Sequence, residues 1–510
     1  MLSILSTGSG ITIYIFYSAI LLLCILLCLI LRDNPPSSGK SPPGPNGIPI
    51  LGNLLVFLGE KPHLQFYRLA REFGSVFRVR IGRFDVIALN DFNAIREAAN
   101  KHKEIKRYMA PVSVILQKIG TLFKSKESSL DEQFKDVKRV FGSPKDELEV
   151  CAAKETEEMV KVIHLKGNEA FELKPMVLTT VINTTLSVFN MNRCKRDDVR
   201  LKNTADFSKN IIQVDQYFHL LDVLPVCDIF KLRQFKTLAL LGLKLQNFVN
   251  EKMQEFYKRD KEFVGKDAQN DEESKEKKPN GSDISDQSKT NSVISLKLNS
   301  VQNISCTLRN SLIAGTHTVT NTFNIAMFFI AQNPKIMERV QKEIHDVTGG
   351  IRRPTFAEKA NMPYTEATIL EMLRISRLVV RKYFAPNGGS LSGYKLCPGT
   401  LILVNYYAVH HNPDVYPDPE QFKPERFLDA EGKIFKPKEY IPFGTGPRMC
   451  KGLGLARVDL FILFTYLLQC FTFSLKEDMK NELEGILGYN EEFIYEVTAV
   501  PRQGCFSPDV

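Results

Sequence analysis

Apolar positions are laid out in three ways along this 510-residue chain, and each predicts a different element. Ile11 to Leu31 carries no charged side chain. At about 1.5 Å per residue, a helix of that length crosses a hydrocarbon layer of about 30 Å. Farther on, Phe77, Val79 and Ile81 alternate with Arg78 and Arg80, and Gly82-Arg83 leads into a second apolar run from Val86 to Leu89. This is the pattern of a β-hairpin with one buried face. Most of the chain beyond the hairpin has helical spacing, for example Leu238 to Met253 and the stretch Leu453 to Phe471.

The flanks of the first apolar run set the domain plan. Nothing charged precedes it and Arg32 and Lys40 come after it, with neither the basic leader nor the small-residue cleavage site of a secretory signal. Residues 1–32 are therefore expected to be a retained single-span membrane anchor, with the bulk of the chain on the cytosolic side. Residues 33–50, dense in Pro, Ser and Gly around Pro42-Pro43-Gly44-Pro45, read as a stiff hinge that no helix continues through. Residues 51–510 form the globular part, interrupted at about 258–291 by a run of Lys, Asp, Glu, Asn and Ser expected to be a solvated, disordered loop.

A charged fraction of 25% beside 44% apolar residues is that of a folded protein, which excludes disorder for most of the length. The net charge of +9 suits acidic partners and membrane surfaces. There is no phosphate-binding glycine loop and no aromatic-interleaved basic stripe, so nucleic acid is not an expected partner. The ten cysteines are scattered without a CxxC pair, which argues against a disulfide framework or a zinc site and leaves most of them as inert buried thiols. One differs, because Cys450 sits in the Gly-rich, basic segment Phe443-Gly444-Thr445-Gly446-Pro447-Arg448-Met449-Cys450-Lys451-Gly452, directly before an apolar helix. A cysteine there gains the positive end of the helix and the charge of Arg448, both of which favour a thiolate. Glycines nearby leave room for a flat ligand.

This decapeptide resembles the haem-binding signature FxxGxRxCxG of the cytochrome P-450 family at all five fixed positions. Glu371 and Arg374 match the family's ExxR pair, and Pro424-Glu425-Arg426-Phe427 resembles its PERF element. The resemblance, closest to the microsomal branch, covers nearly the whole chain. It implies a mainly α fold with a small β-rich side, preceded here by the N-terminal transmembrane helix. It also implies a haem b cofactor (heme b) with Cys450 as the axial thiolate, and Phe443, Gly444, Arg448 and Gly452 in contact with it. Glu371, Arg374 and Arg426 would form a buried triad that fixes the cysteine loop.

The implied activity is that of a monooxygenase in the endoplasmic reticulum membrane. It would take electrons from NADPH through a flavoprotein reductase and hydroxylate a lipophilic small molecule of steroid, fatty-acid or xenobiotic class. Ala314, Gly315 and Thr318 fall in register with the family's oxygen-side motif, but His317 replaces its acidic member. Histidine can relay a proton at neutral pH, so His317 is a candidate relay and Thr318 the candidate hydroxyl beside bound dioxygen. The family's propionate-binding Trp and Arg are replaced by Phe134 and Lys138, and a further basic contact falls near Arg381. The altered proton supply keeps two alternatives open: a reductase-independent isomerase or dehydratase of oxygenated lipids, and a non-enzymatic haem or lipid binder. Substrate contacts are expected around Arg107 to Phe123 and Val214 to Phe230, where Val114, Ile115, Leu116, Phe218, Leu220 and Leu221 are apolar.

Overall fold

The hairpin read from the alternating pattern is the first element of a mixed sheet. The computed structural model describes residues 14, 16–24, 40–48, 51–57, 62–82, 84–101, 103–108, 145–216, 232–273, 301–376, 380–476 and 493–502. The chain divides into two compact units. In the first, β1 (Val76–Ile81) pairs antiparallel with β2 (Phe84–Leu89), Ile81 opposite Phe84. Phe77, Val79 and Ile81 are buried while Arg78 and Arg80 lie on the half-exposed face, as a period of two requires. Adding β3 (Lys106–Arg107), β5 (Val380–Ala385) and β8 (Thr400–Asn405) completes a sheet of order β1-β2-β8-β5-β3. Strand β2 runs parallel to β8, and β5 is antiparallel to it. All six residues of β8 are buried, the pattern of a central strand covered on both faces. Helix α1 (Pro62–Phe73) packs on β1 and β8 of this sheet, and β6 (Gly389–Leu391) with β7 (Tyr394–Leu396) forms a separate two-stranded ribbon against which α2 (Phe92–Asn100) packs.

The described end of the proline-rich segment is fastened to this sheet. The Pro43 carbonyl accepts a hydrogen bond from the Arg78 amide at 2.8 Å. Gly44 lies so close to the Arg78 carbonyl that no side chain fits there. The remainder of the expected hinge, 33–39 and 49–50, lies outside the described residues.

The second unit is helical. Its elements are α3 (Lys145–Lys166), α4 (Lys174–Val188), α5 (Val199–Gln216), α6 (Leu232–Glu273), α7 (Val301–Gln332), α8 (Pro334–Thr348), α9 (Pro363–Ile375) and α10 (Leu453–Cys470). A small sheet of β4 (Phe171–Glu172), β10 (Glu496–Pro501) and β9 (Phe471–Leu475) completes it. Helix α7 packs against α4, α5, α6, α8, α9 and α10 and is the axis of the unit. Helix α10 is the one described helix long and apolar enough to cross a membrane, but 78% of it is buried in the protein, against α3, α8 and α7. It is a core helix, apolar all round because protein surrounds it.

Two expectations change. Helix α6 continues through Glu273, so the start of the expected polar loop at 258–291 is helical. Its Lys, Glu, Asp and Gln are good or neutral helix residues, and no proline interrupts them. Residues 274–291 lie outside the described residues. Among the described cysteines Cys470 is disulfide-bonded, so it is not the inert thiol expected of it. Cys151 and Cys194 do behave as inert thiols, burial pushing both up to about 11. Of the expected N-terminal helix, residues 14 and 16–24 are helical, with Tyr14, Phe16, Tyr17, Leu21, Leu22 and Leu23 exposed; the ends of the apolar run lie outside the described residues.

Candidate active site

The cysteine loop is held by what surrounds α9. Pro363 starts this helix, where its missing N–H costs nothing. The next two amides, of Tyr364 and Thr365, donate to the Glu343 carboxylate of α8 at 2.9 and 2.6 Å. Every residue from Tyr364 to Ile375 is buried, so the three-residue spacing of Glu371 and Arg374 puts two charges on one face inside the core. Both side chains are 0% exposed. They meet as a fork: Arg374 Nε donates to Glu371 Oε2 at 2.7 Å and Nη2 to Oε1 at 2.8 Å, the two-point geometry that makes Arg–carboxylate pairs strong.

Each member of the pair has further partners. Arg374 Nη1 donates to the His410 carbonyl at 2.9 Å, and the Lys423 amide donates to Glu371 Oε1 at 2.9 Å. Arg426, 8% exposed, approaches Glu371 at 3.4 Å. Its guanidinium mainly gathers the carbonyls of Pro417, Asp418 and Gln421, the Asp418 contact at 2.6 Å. The structure thus brings Glu371, Arg374 and Arg426 together, with Arg426 at the edge, binding backbone more than carboxylate.

Two contacts carry this framework to the loop. The Tyr440 hydroxyl donates to the Leu370 carbonyl at 3.0 Å, its ring 4.9 Å from that of Phe427. The Ile441 amide donates to His410 Nε2 at 3.1 Å. Burial, with Arg374 alongside, pushes the His410 pKa down to about 3, so the ring is a neutral acceptor. From Ile441 the chain turns: Gly444 N–H meets the Ile441 carbonyl at 2.9 Å, and Cys450 N–H meets the Phe443 carbonyl at 2.9 Å. Gly444 (φ 79°) and Gly446 (φ 70°) supply the left-handed conformations that this tight path needs. The loop closes with a 3₁₀ turn, Gly446–Arg448, and delivers an exposed Cys450 just before the Gly452 cap of α10. The Arg448 side chain lies outside the described residues.

On α7, Ala314 is exposed although Leu312, Ile313, Thr316, Val319 and Thr320 around it are buried. Among the described residues, apart from chain neighbours and the helix's own backbone, no atom lies within 4 Å of where a Cβ on Gly315 or Gly452 would stand. The Thr318 hydroxyl donates to the Ala314 carbonyl at 2.8 Å. His317 Nε2 faces Asn321 Nδ2 at 2.9 Å; an amide nitrogen only donates, so Nε2 accepts and the ring proton sits on Nδ1. Burial, followed by the charges of Lys174 and Lys209, lowers the His317 pKa to about 4. The ring is neutral at pH 7. Charging it there costs about 4 kcal/mol at about 1.4 kcal/mol per pKa unit, a cost that an imidazolium relay would carry.

Arg381 is exposed on β5 in the first unit, while its neighbour Lys382 is buried. Phe134, Lys138, Val114, Ile115, Leu116, Phe218, Leu220 and Leu221 lie outside the described residues. Sequence reasoning missed His410, Tyr440 and the Lys423 amide. The first has a visible signal, a histidine among apolar residues at the end of a strand-like run. The others act through a backbone group or a single hydroxyl, which no motif marks.

Comparison with known proteins agrees with the loop. The family model for cytochrome P450 matches residues 42–495. Cytochrome P450 18a1 of Drosophila melanogaster is 27% identical over 93% of this chain and 89% of its own length. Cytochrome P450 2U1 of Bos taurus is 30% identical over 88% and 86%, and farnesoate epoxidase of Bombyx mori 29% over 89% and 92%. With residues 42–495 matched and a cysteine loop braced by a buried ion pair, this chain belongs to the cytochrome P450 family and is a haem-thiolate monooxygenase.

Proposed function

We propose that this enzyme hydroxylates a lipophilic small molecule of steroid, fatty-acid or xenobiotic class, with electrons passed from NADPH by a flavoprotein reductase. Residues 1–32 anchor it in the endoplasmic reticulum membrane and the catalytic part faces the cytosol. The observation that carries the reading is the Cys450 loop, which presents an exposed sulfur on a hydrogen-bonded turn tied to a buried ion pair. The residues present fit a haem. The thiol is accessible, and the exposed Ala314 with the open space beside Gly315 and Gly452 leaves room for a flat ring. When bound, the haem supplies oxygen activation, which thiolate ligation favours.

The chain's own residues supply the rest. Cys450 holds the metal, and Phe443, Gly444 and Gly452 shape the loop around it. Arg448, Lys138 and Arg381 are the cations for the propionates, in that order of support from the motif. The Thr318 hydroxyl is the proton-bearing group on the α7 side; turning from the Ala314 carbonyl frees its hydrogen for the oxygen site. His317 fixes the polar face of α7 through Asn321 rather than carrying charge. The exposed apolar side chains of residues 14 and 16–24 support the anchor. The name farnesoate epoxidase, borne by one relative, concerns a lipophilic substrate and supports the substrate class.

A second reading draws on the same face. The Thr318 hydroxyl is engaged and His317 stays neutral, a sparse proton supply that suits a reductase-independent isomerase or dehydratase of oxygenated lipids. The test is the reduced protein under carbon monoxide. A thiolate-type Soret band, lost in Cys450→Ala, is expected, and a histidine-type band in the wild type refutes the reading. NADPH consumption with a reductase, with and without candidate lipids, then separates monooxygenase from isomerase.

A further inference from the structure

The buried ion pair and the cysteine loop lie in the same compact unit, yet no side chain of Glu371 or Arg374 touches residues 441–450 among the described hydrogen bonds. The link is His410. Its carbonyl takes Arg374 Nη1 at 2.9 Å, and its ring Nε2 takes the Ile441 amide at 3.1 Å. The ring is 4% exposed and lies between two tyrosines, its centroid 6.4 Å from Tyr416 and 6.1 Å from Tyr440. Its burial leaves little room for another rotamer. Ile441 is the last residue before the turn: its carbonyl takes the Gly444 amide at 2.9 Å, and Phe443 takes the Cys450 amide at 2.9 Å. His410 therefore joins the charge framework to the turn that carries the sulfur, through its carbonyl on one side and its ring on the other, beside the separate Tyr440 contact to the Leu370 carbonyl.

We propose that His410 is a positioning residue that locks the entry of the cysteine loop and thereby holds the Cys450 thiolate as the haem ligand. This rests on Cys450 being that ligand. Its acceptor must be neutral, and burial beside Arg374 keeps it so. The requirement is an acceptor at the Nε2 position. Glutamine reaches it, asparagine falls short, and phenylalanine fills the space without an acceptor.

The experiment compares His410→Gln, His410→Asn and His410→Phe with wild type in the haem-loaded protein, using amide hydrogen exchange and the carbon-monoxide spectrum. In His410→Phe and His410→Asn, exchange at Ile441, Gly444 and Cys450 should rise at least tenfold, with Val497 in the distant β10 unchanged. Conversion of the thiolate spectrum to a non-thiolate form on mild heating should be at least fivefold faster. His410→Gln should lie within twofold of wild type in both. Equal exchange at 441–450 in all four proteins overturns the proposal, as does His410→Gln behaving like His410→Phe. If His410→Phe does not fold, the Gln–Asn difference decides, and its absence overturns the proposal. Wild type without a thiolate spectrum refutes the ligand assignment instead, and exchange still reports whether His410 locks the loop.

Discussion

Removing the Glu371 side chain strands a buried guanidinium. In Glu371→Met, Arg374 keeps only the His410 carbonyl at 2.9 Å and the Gln421 carbonyl at 3.4 Å, and it loses both arms of the fork. Breaking a buried pair from one side costs about 3–5 kcal/mol. The Lys423 amide also loses its acceptor, a further cost of about 1–3 kcal/mol if it stays dry. The terms are not additive, and about 5 kcal/mol is the working figure. At an unfolding entropy of about 2 cal/mol/K per residue over the matched segment, each kcal/mol moves Tm by about 1 °C, so a fall of about 5 °C is expected. The informative comparison is Glu371→Met/Arg374→Met. Replacing both charges by apolar side chains removes the stranded cation, and the double variant should melt above Glu371→Met although it carries one more substitution. The assay is thermal unfolding by circular dichroism, with the haem-loaded fraction measured beside it. A double variant that melts at or below the single one would falsify the premise that the uncompensated charge is the dominant cost.

Individual contacts set the other outcomes. His317 and His410 have folded pKa values of about 4 and about 3 against an unfolded value near 6.5, so the unfolded chain binds protons that the folded one refuses. Their contribution to stability is complete above pH 6.5 and is lost as pH falls towards 4 for His317 and towards 3 for His410, at up to about 1.4 kcal/mol per pH unit for each ring. The slope of Tm between pH 7 and 5 should flatten in His317→Asn, and an unchanged slope refutes the assignment. Gly315→Ala meets no atom within 4 Å, so the helix should gain up to about 1 kcal/mol while the substrate-induced spectral shift weakens as the recess fills. Tighter substrate binding in that variant would place the recess elsewhere. Thr318→Val removes a hydroxyl whose described partners are the carbonyls of Ala314 and Gly315 in its own helix. Tm should stay within about 1 °C while product formed per NADPH consumed falls several-fold, and undiminished coupling would take Thr318 out of the proton path.

What could be read from the sequence depended on whether a residue acts by its type and spacing or by its place. The β1–β2 hairpin and α10 were legible as elements, because a period of two and a long, largely apolar stretch each mark their secondary structure. Glu371 with Arg374, and the Gly444–Cys450 turn, were legible because their chemistry fixes the residue type. The extent of α6 was not. A charged segment is compatible with both solvated coil and solvated helix, and only helix propensity separates them, at a few tenths of a kcal/mol per residue. Arg426 was legible as a member of the group but not in its main role, since the carbonyls it gathers belong to a loop whose path no motif specifies. His410 escaped for a related reason: its two contacts, one through the backbone and one through the ring, become visible only once α9 and the loop are side by side.

The two sides of the site are built on opposite principles. Below the cysteine, the described polar groups form a continuous path: Glu371 to Arg374, Arg374 to His410, His410 to Ile441, and on to the Cys450 turn. Such networks are rigid when complete and costly when broken, which suits a ligand that must hold one position. On α7 the opposite holds, with an open space beside Gly315, an exposed Ala314, and a hydroxyl held only within its own helix. The replacement of an acid by the neutral His317 therefore tests the division itself: if proton supply limits the reaction, His317→Asp should raise turnover while leaving the thiolate spectrum unchanged. A change in that spectrum would show that the two sides are coupled.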